Sequence, residues 1–95
     1  MSSENVREVL GRKRTVEVLE VLSGGGFQNY SEIESAIDTS SVTVSESLEL
    51  LGSYGLLNRT EESKKDVRYE ITEAGEEFLQ LVHQLETLLA ETADQ

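Results

Sequence analysis

The strongest anion-binding groups in this 95-residue sequence are eight basic side chains, and they fall into two clusters. Arg7, Arg12, Lys13 and Arg14 form one, and Arg59, Lys64, Lys65 and Arg68 form the other. Guanidinium and ammonium groups confined in this way suit phosphate oxygens, which accept charge-assisted hydrogen bonds from them. The alternative is local pairing with Glu8, Glu61, Glu62, Asp66 and Glu70. Other chemistry has less to draw on. Without cysteine and with His83 alone, no disulfide forms, a zinc site has almost no ligands, and no metal or cofactor is expected. Gly24, Gly25 and Gly26 are not followed by Gly-Lys-Ser/Thr, so they cradle no phosphate. The pairs Glu61-Glu62 and Glu76-Glu77 read as solvated faces, no Ser-His-Asp set has local support, and catalysis is not expected.

The overall charge opposes the phosphate reading. Nineteen acidic residues against eight basic ones give a net charge of -11, whereas affinity for a phosphate backbone normally comes from an excess of lysine and arginine. Its distribution matters more than its sum, because residues 15–58 and 69–95 carry no basic side chain at all. An acidic, lysine-poor surface is also what keeps a protein hydrated in concentrated salt. The hydrophobic fraction of 37% suffices for one modest core. No apolar run approaches the length of a membrane helix, and MSSENVREVL lacks the layout of a secretory signal, so a cytoplasmic protein without membrane contact is expected.

The elements that must position these groups follow from periodicity and caps. Val16, Leu19 and Leu22, with Val18 and Val21 beside them, make a first helix that the glycine run ends, preceded by a possible short turn carrying Val6, Val9 and Leu10. Asn29 and Glu32 have capping-box spacing and open a second helix, Tyr30 to Ile37. Asp38, Thr39 and Ser40 form a turn, and a third helix from about Ser41 places Val44, Leu48 and Leu51 inward before stopping at Gly55. Two short helices joined by such a turn are the arrangement that presents a recognition helix to a DNA groove. Leu56 to Thr60 and Val67 to Ile71 read as strands around the polar loop Glu61 to Asp66, which makes a β-hairpin wing directly after the third helix. Thr72 caps a last helix to about Glu91. In it Phe78, Val82, Leu85 and Leu89 step by four, three and four, the spacing of a helix-pairing seam, with Leu79, Leu81 and Leu88 broadening it.

Taken together, NYSEIESAI, LELLGSYGLLNR and RYEITEAGEEFL resemble the winged-helix regulators of prokaryotes, especially the HxlR type and its ArsR and MarR relatives, over residues 12 to about 80. The resemblance implies an α+β, mostly α, winged helix-turn-helix fold: three helices, a wing and a long C-terminal dimerisation helix. The expected divisions are an N-terminal extension or short helix at 1–11, the winged domain at 12–71, the dimerisation helix at 72–91 and a disordered tail at 92–95. The implied activity is transcription regulation by a homodimer on double-stranded DNA, with the third helix in the major groove and the wing beside it. Combined with the acidic surface, it points to a salt-loving, haloarchaeal source. No small-molecule effector is assigned.

On this reading Ser40, Ser41, Val42, Thr43, Ser45, Glu46 and Ser47 meet the groove. Arg59, Lys64, Lys65 and Arg68 act from the wing, Arg12, Lys13 and Arg14 hold phosphate from the start of the first helix, and Phe78, Val82, Leu85 and Leu89 form the dimer seam. Family recognition helices usually turn lysine, arginine or glutamine outward, and this one carries hydroxyls and carboxylates instead, so arginine-to-guanine readout is excluded from it. Six phosphate contacts would lose on the order of 10⁵ in affinity for a tenfold rise in salt, so a regulator at molar salt needs hydroxyl, water-mediated and apolar contacts. Val42 meeting a thymine methyl suits that need. The competing function is a winged-helix module whose acidic third helix docks a protein.

Overall fold

Caps divide the chain into its elements. The computed structural model describes residues 3–11 and 14–93. In order they form α1 (Glu4–Leu10), α2 (Thr15–Leu22), β1 (Gln28–Asn29), α3 (Tyr30–Ala36), α4 (Ser41–Ser53), β2 (Leu57–Ser63), β3 (Asp66–Ile71) and α5 (Glu73–Ala93). At the head of α3 the Asn29 side chain accepts from the Glu32 amide at 2.9 Å while Glu32 Oε1 accepts from the Asn29 amide at 3.0 Å, a complete capping box. Ser40 Oγ accepts from the Thr43 amide at 3.2 Å and starts α4. Thr72 Oγ1 does the same for α5, accepting from the Gly75 amide at 3.0 Å.

The inward stripes of these helices meet around α2. Val18, Leu19 and Leu22 pack with Ile33 of α3, Val44, Leu48 and Leu51 of α4, Leu57 and Tyr69 of the hairpin and Leu79 of α5. Val9 brings α1 to the edge of this core, and the fully buried Thr15 ties α1 to α2 by donating its hydroxyl to the Val9 carbonyl at 2.6 Å. β2 and β3 form the antiparallel wing, with Arg59 opposite Tyr69 and a bulge between Glu61 and Ser63.

Four details depart from the sequence reading. The hairpin strands reach into the expected loop, since β2 runs through Ser63 and β3 starts at Asp66. A third strand exists, because β1 pairs with β3 to give the order β1-β3-β2. Two residues carry no periodicity, so this strand left no signal. Leu79, expected to broaden the seam, is buried in the core instead. Helix α5 also continues through Thr92 and Ala93, two of the residues assigned to a tail, while Asp94 and Gln95 lie outside the described residues.

The end of α4, the start of the wing and the head of α5 converge on a few backbone groups. Gly55 takes a φ of 74°, which turns the chain out of α4. Thr72 then donates its hydroxyl to the Gly55 carbonyl at 2.7 Å and its amide to the Leu56 carbonyl at 3.1 Å. Gly75 lies against the same Leu56 carbonyl, and a Cβ there would collide with that oxygen and come within 2.7 Å of Ile71 Cγ1. Gly75→Ala is therefore expected to lower unfolding stability by about 1–3 kcal/mol in urea titrations. Gly24→Ala, whose Cβ would meet nothing, should leave the midpoint nearly unchanged.

Helix α1 is held at its outer side by Tyr54, the residue after α4. The Tyr54 hydroxyl donates to Glu8 Oε1 at 2.7 Å and lies 3.1 Å from Asn5 Oδ1. Its hydrogen bond to Glu8, followed by burial and the Glu8 charge, raises the phenol above the usual 10.0. A raised pKa adds stability that is fully present below pH 10 and is lost as pH rises through the folded value. Ultraviolet titration should therefore show Tyr54 ionising above its usual range in the native chain, and Glu8→Gln should bring it back down.

Candidate nucleic-acid interface

Helix α4 is amphipathic, and its outer face is set by the turn before it. Arg14 Nη1 pairs with Glu17 Oε1 at 2.6 Å and Nη2 donates to the Asp38 carbonyl at 3.3 Å, fixing the α3–α4 turn to the start of α2. This guanidinium is spent inside the fold, which withdraws Arg14 from the phosphate-facing set. Its expected companions Arg12 and Lys13 lie outside the described residues. From the other side the Tyr30 hydroxyl donates to the Ser41 carbonyl at 2.8 Å and lies 3.1 Å from Ser45 Oγ. The first turn of α4 is thus clamped to α3.

Ser41, Val42, Ser45, Glu46 and Glu49 face outward, and Val42 is 63% exposed despite being apolar. Ser40 and Thr43 are committed to the cap, their hydroxyl oxygens 3.0 Å apart. Ser47 must be removed from the groove-facing set, because it is only 3% exposed on the core side of α4. It stands three residues after Val44 and four before Leu51, both inward, so the helical period already placed it inside. The same period, counted from Val42 and Ser45, places Glu49 on the outer face.

The wing's charges are largely matched within the wing. Arg68 sits between Asp66 Oδ2 at 3.0 Å and Glu62 Oε1 at 3.9 Å, with its guanidinium carbon 4.3 Å from the centre of the Phe27 ring. Arg59 Nη1 lies 3.7 Å from Glu61 Oε2. On the wing, Lys64 and Lys65, at the exposed tip, show no carboxylate partner among the described residues. Between α4 and β2 runs an open groove of about 610 Å³, walled by Tyr30, Ser45 and Glu49 on one side and by Asn58 and Arg59 on the other. Tyr30 and Asn58 gave no motif to read, since their position follows from how the helices and the hairpin pack.

Elsewhere on the surface, α1 and α5 form an apolar groove of about 480 Å³. Val6 and Leu10 face Phe78, Leu81, Val82, Leu85 and Leu88 across it. Leu85 and Leu89 are 47% and 61% exposed. His83 points away from this groove, 3.2 Å from Glu20 Oε2 on α2, with both side chains exposed. Among the described residues no group of histidines and carboxylates can hold a metal ion, and no helix is long and apolar enough to cross a membrane.

Comparison with known proteins agrees with this geometry. The sequence profile of the winged helix DNA-binding domain matches residues 12–75. No curated protein shows a significant sequence match. Among solved structures the chain is similar to a "possible HxlR family transcriptional factor" from Thermoplasma volcanium, at 28% identity and a TM-score of 0.73, over 95% of this chain and 83% of that one. It is also similar to the reduced form of the transcriptional regulator YodB from B. subtilis, at 26% identity and a TM-score of 0.76, over 96% and 92% of the two chains. A MarR-family protein from Enterococcus faecalis V583 shares the fold, with a TM-score of 0.70 at 18% identity over 100% and 96%.

Proposed function

Because the chain belongs to the winged helix DNA-binding domain family, we propose that it is a transcription regulator that binds duplex DNA as a homodimer. Helix α4 enters the major groove, and the wing tip rests on the adjacent backbone or minor groove. The observation that carries this reading is the outer face of α4. Ser41, Val42, Ser45 and Glu49 are exposed, belong to no core contact, and stand on a helix clamped at its first turn beside a hairpin tipped by Lys64 and Lys65. Affinity then comes from few ionic contacts and many neutral ones, which suits a protein whose acidic surface is adapted to concentrated salt.

The partnered state of Arg59 and Arg68 sharpens the electrostatic expectation. An arginine that leaves a carboxylate to meet a phosphate uncovers a negative charge beside the DNA, so its net contribution is small. Lys64 and Lys65 uncover none. Replacing both lysines by alanine should weaken binding to all sequences alike and reduce the slope of log affinity against log salt by up to about two. An unchanged slope in fluorescence anisotropy titrations takes the wing tip off the contact surface.

Net charge favours a second reading, in which the acidic outer face of α4, with Glu46 and Glu49, docks a protein. Specific retention of a selected duplex at molar salt supports the regulator. A chain that retains no duplex and captures a protein partner supports the docking module.

The homodimer rests on the α1–α5 groove. Helix α5 has 21 residues, roughly 31 Å at 1.5 Å per residue, and its second half carries exposed Leu85, Leu88 and Leu89. A second copy related by a two-fold axis covers Phe78, Val82, Leu85 and Leu89 and places two α4 helices about 34 Å apart, one DNA turn. Changing Leu85 and Leu89 to aspartate should release folded monomers, because the pair would bury unpaired charge. Light scattering at high salt checks it, and a parent that is already monomeric at micromolar concentration contradicts the seam.

A further inference from the structure

The Tyr30–Ser45 contact has a direction that sets what Ser45 offers to a base. A carbonyl oxygen has no proton, so the 2.8 Å bond to the Ser41 carbonyl takes the single proton of the Tyr30 hydroxyl. In the 3.1 Å contact with Ser45 the phenol oxygen is then left to accept, and the Ser45 hydroxyl donates to it. The serine proton points back into the protein. What Ser45 presents outward is lone pairs.

Two of its neighbours on the outer face agree with this polarity. Val42, three residues before it, is apolar, and Glu49, four residues after it, bears carboxylate oxygens, which accept. Between residues 15 and 58 there is no lysine or arginine to supply a donor. In the major groove guanine offers N7 and O6 and thymine offers O4, all acceptors, whereas adenine offers its N6 amine and cytosine its N4 amine. Resting on the reading of α4 as the groove-facing helix, we propose that Tyr30 is a specificity-positioning residue. By taking the proton of Ser45 it makes that serine an acceptor only, and the base it reads is one with an exocyclic amine, adenine or cytosine.

Binding-site selection at one fixed salt concentration, run on the parent, Ser45→Ala and Tyr30→Phe, tests this. The position whose base preference changes in Ser45→Ala is the one Ser45 reads. There the parent should prefer adenine or cytosine over guanine or thymine by about tenfold, and Ser45→Ala should bring the four bases close to parity. Tyr30→Phe keeps the ring and frees the serine proton to point outward, so discrimination should fall to about threefold or less while preferences elsewhere in the site hold. A purely structural tyrosine would weaken every site equally and leave the base preference intact, which overturns the proposal. Guanine or thymine favoured at that position in the parent, or no position sensitive to Ser45→Ala, overturns it too. A parent that enriches no sequence at all overturns the duplex-binding reading itself, whereas enrichment without a Tyr30 effect leaves that reading standing.

Discussion

At Gly75 the backbone of α5 rests against the Leu56 carbonyl, closer than any side chain at that position would allow. The same carbonyl accepts the Thr72 amide, and the Thr72 hydroxyl reaches the Gly55 carbonyl one residue earlier. One tight joint therefore fixes three things at once: where α4 ends, where the wing begins and at what angle α5 departs. The face proposed for recognition is on α4, the lysines proposed to meet phosphate are on the wing, and the proposed pairing surface is on α5. Their relative placement depends on a joint that needs glycine on one side and a threonine hydroxyl on the other.

From that frame the chemistry of the outer face follows with little use of charge. The wing carries as many carboxylates as cations, with Glu61, Glu62, Asp66 and Glu70 against Arg59, Lys64, Lys65 and Arg68, and its arginines are matched in place. Such exposed pairs add little stability, about 0–1 kcal/mol each, so their consequence is for the surface potential more than for folding. On α4 the groups left to recognise a ligand are hydroxyls, carboxylates and the Val42 methyls. The hydroxyls and methyls keep their contacts where salt has screened ionic ones, since neutral hydrogen bonds and apolar burial do not depend on counterion release.

Much of this was legible in the sequence, and what was missed has identifiable causes. Caps announce themselves because their chemistry is local: Asn29 with Glu32, Ser40 before α4 and Thr72 before α5 all act as their spacing indicates. The core stripes of α2 and α4 follow from period alone. Strand β1 was invisible, since two residues fix no alternation and its pairing with β3 is a long-range event. Ser47 was misplaced for a different reason: residue type suggested an outward serine, although its spacing from Val44 and Leu51 already pointed inward. Arg59 and Arg68 take the local pairing that the sequence offered as the alternative, with Glu61, Glu62 and Asp66, whereas Arg14 meets the Asp38 carbonyl, 24 residues on, only after folding.

Two faces thus divide the labour, one hydroxyl-rich and clamped by Tyr30, the other apolar and built from α1 and α5. The first of these is the face proposed to meet DNA. Backbone amide shifts in NMR spectra of the chain titrated with a selected duplex at molar salt test that claim most directly. The largest changes are expected at Ser41, Val42, Ser45 and Glu49, with smaller ones at Lys64 and Lys65 and none along the core face of α4. Shifts confined to α1 and α5, or a spectrum that the duplex leaves unchanged, would contradict it.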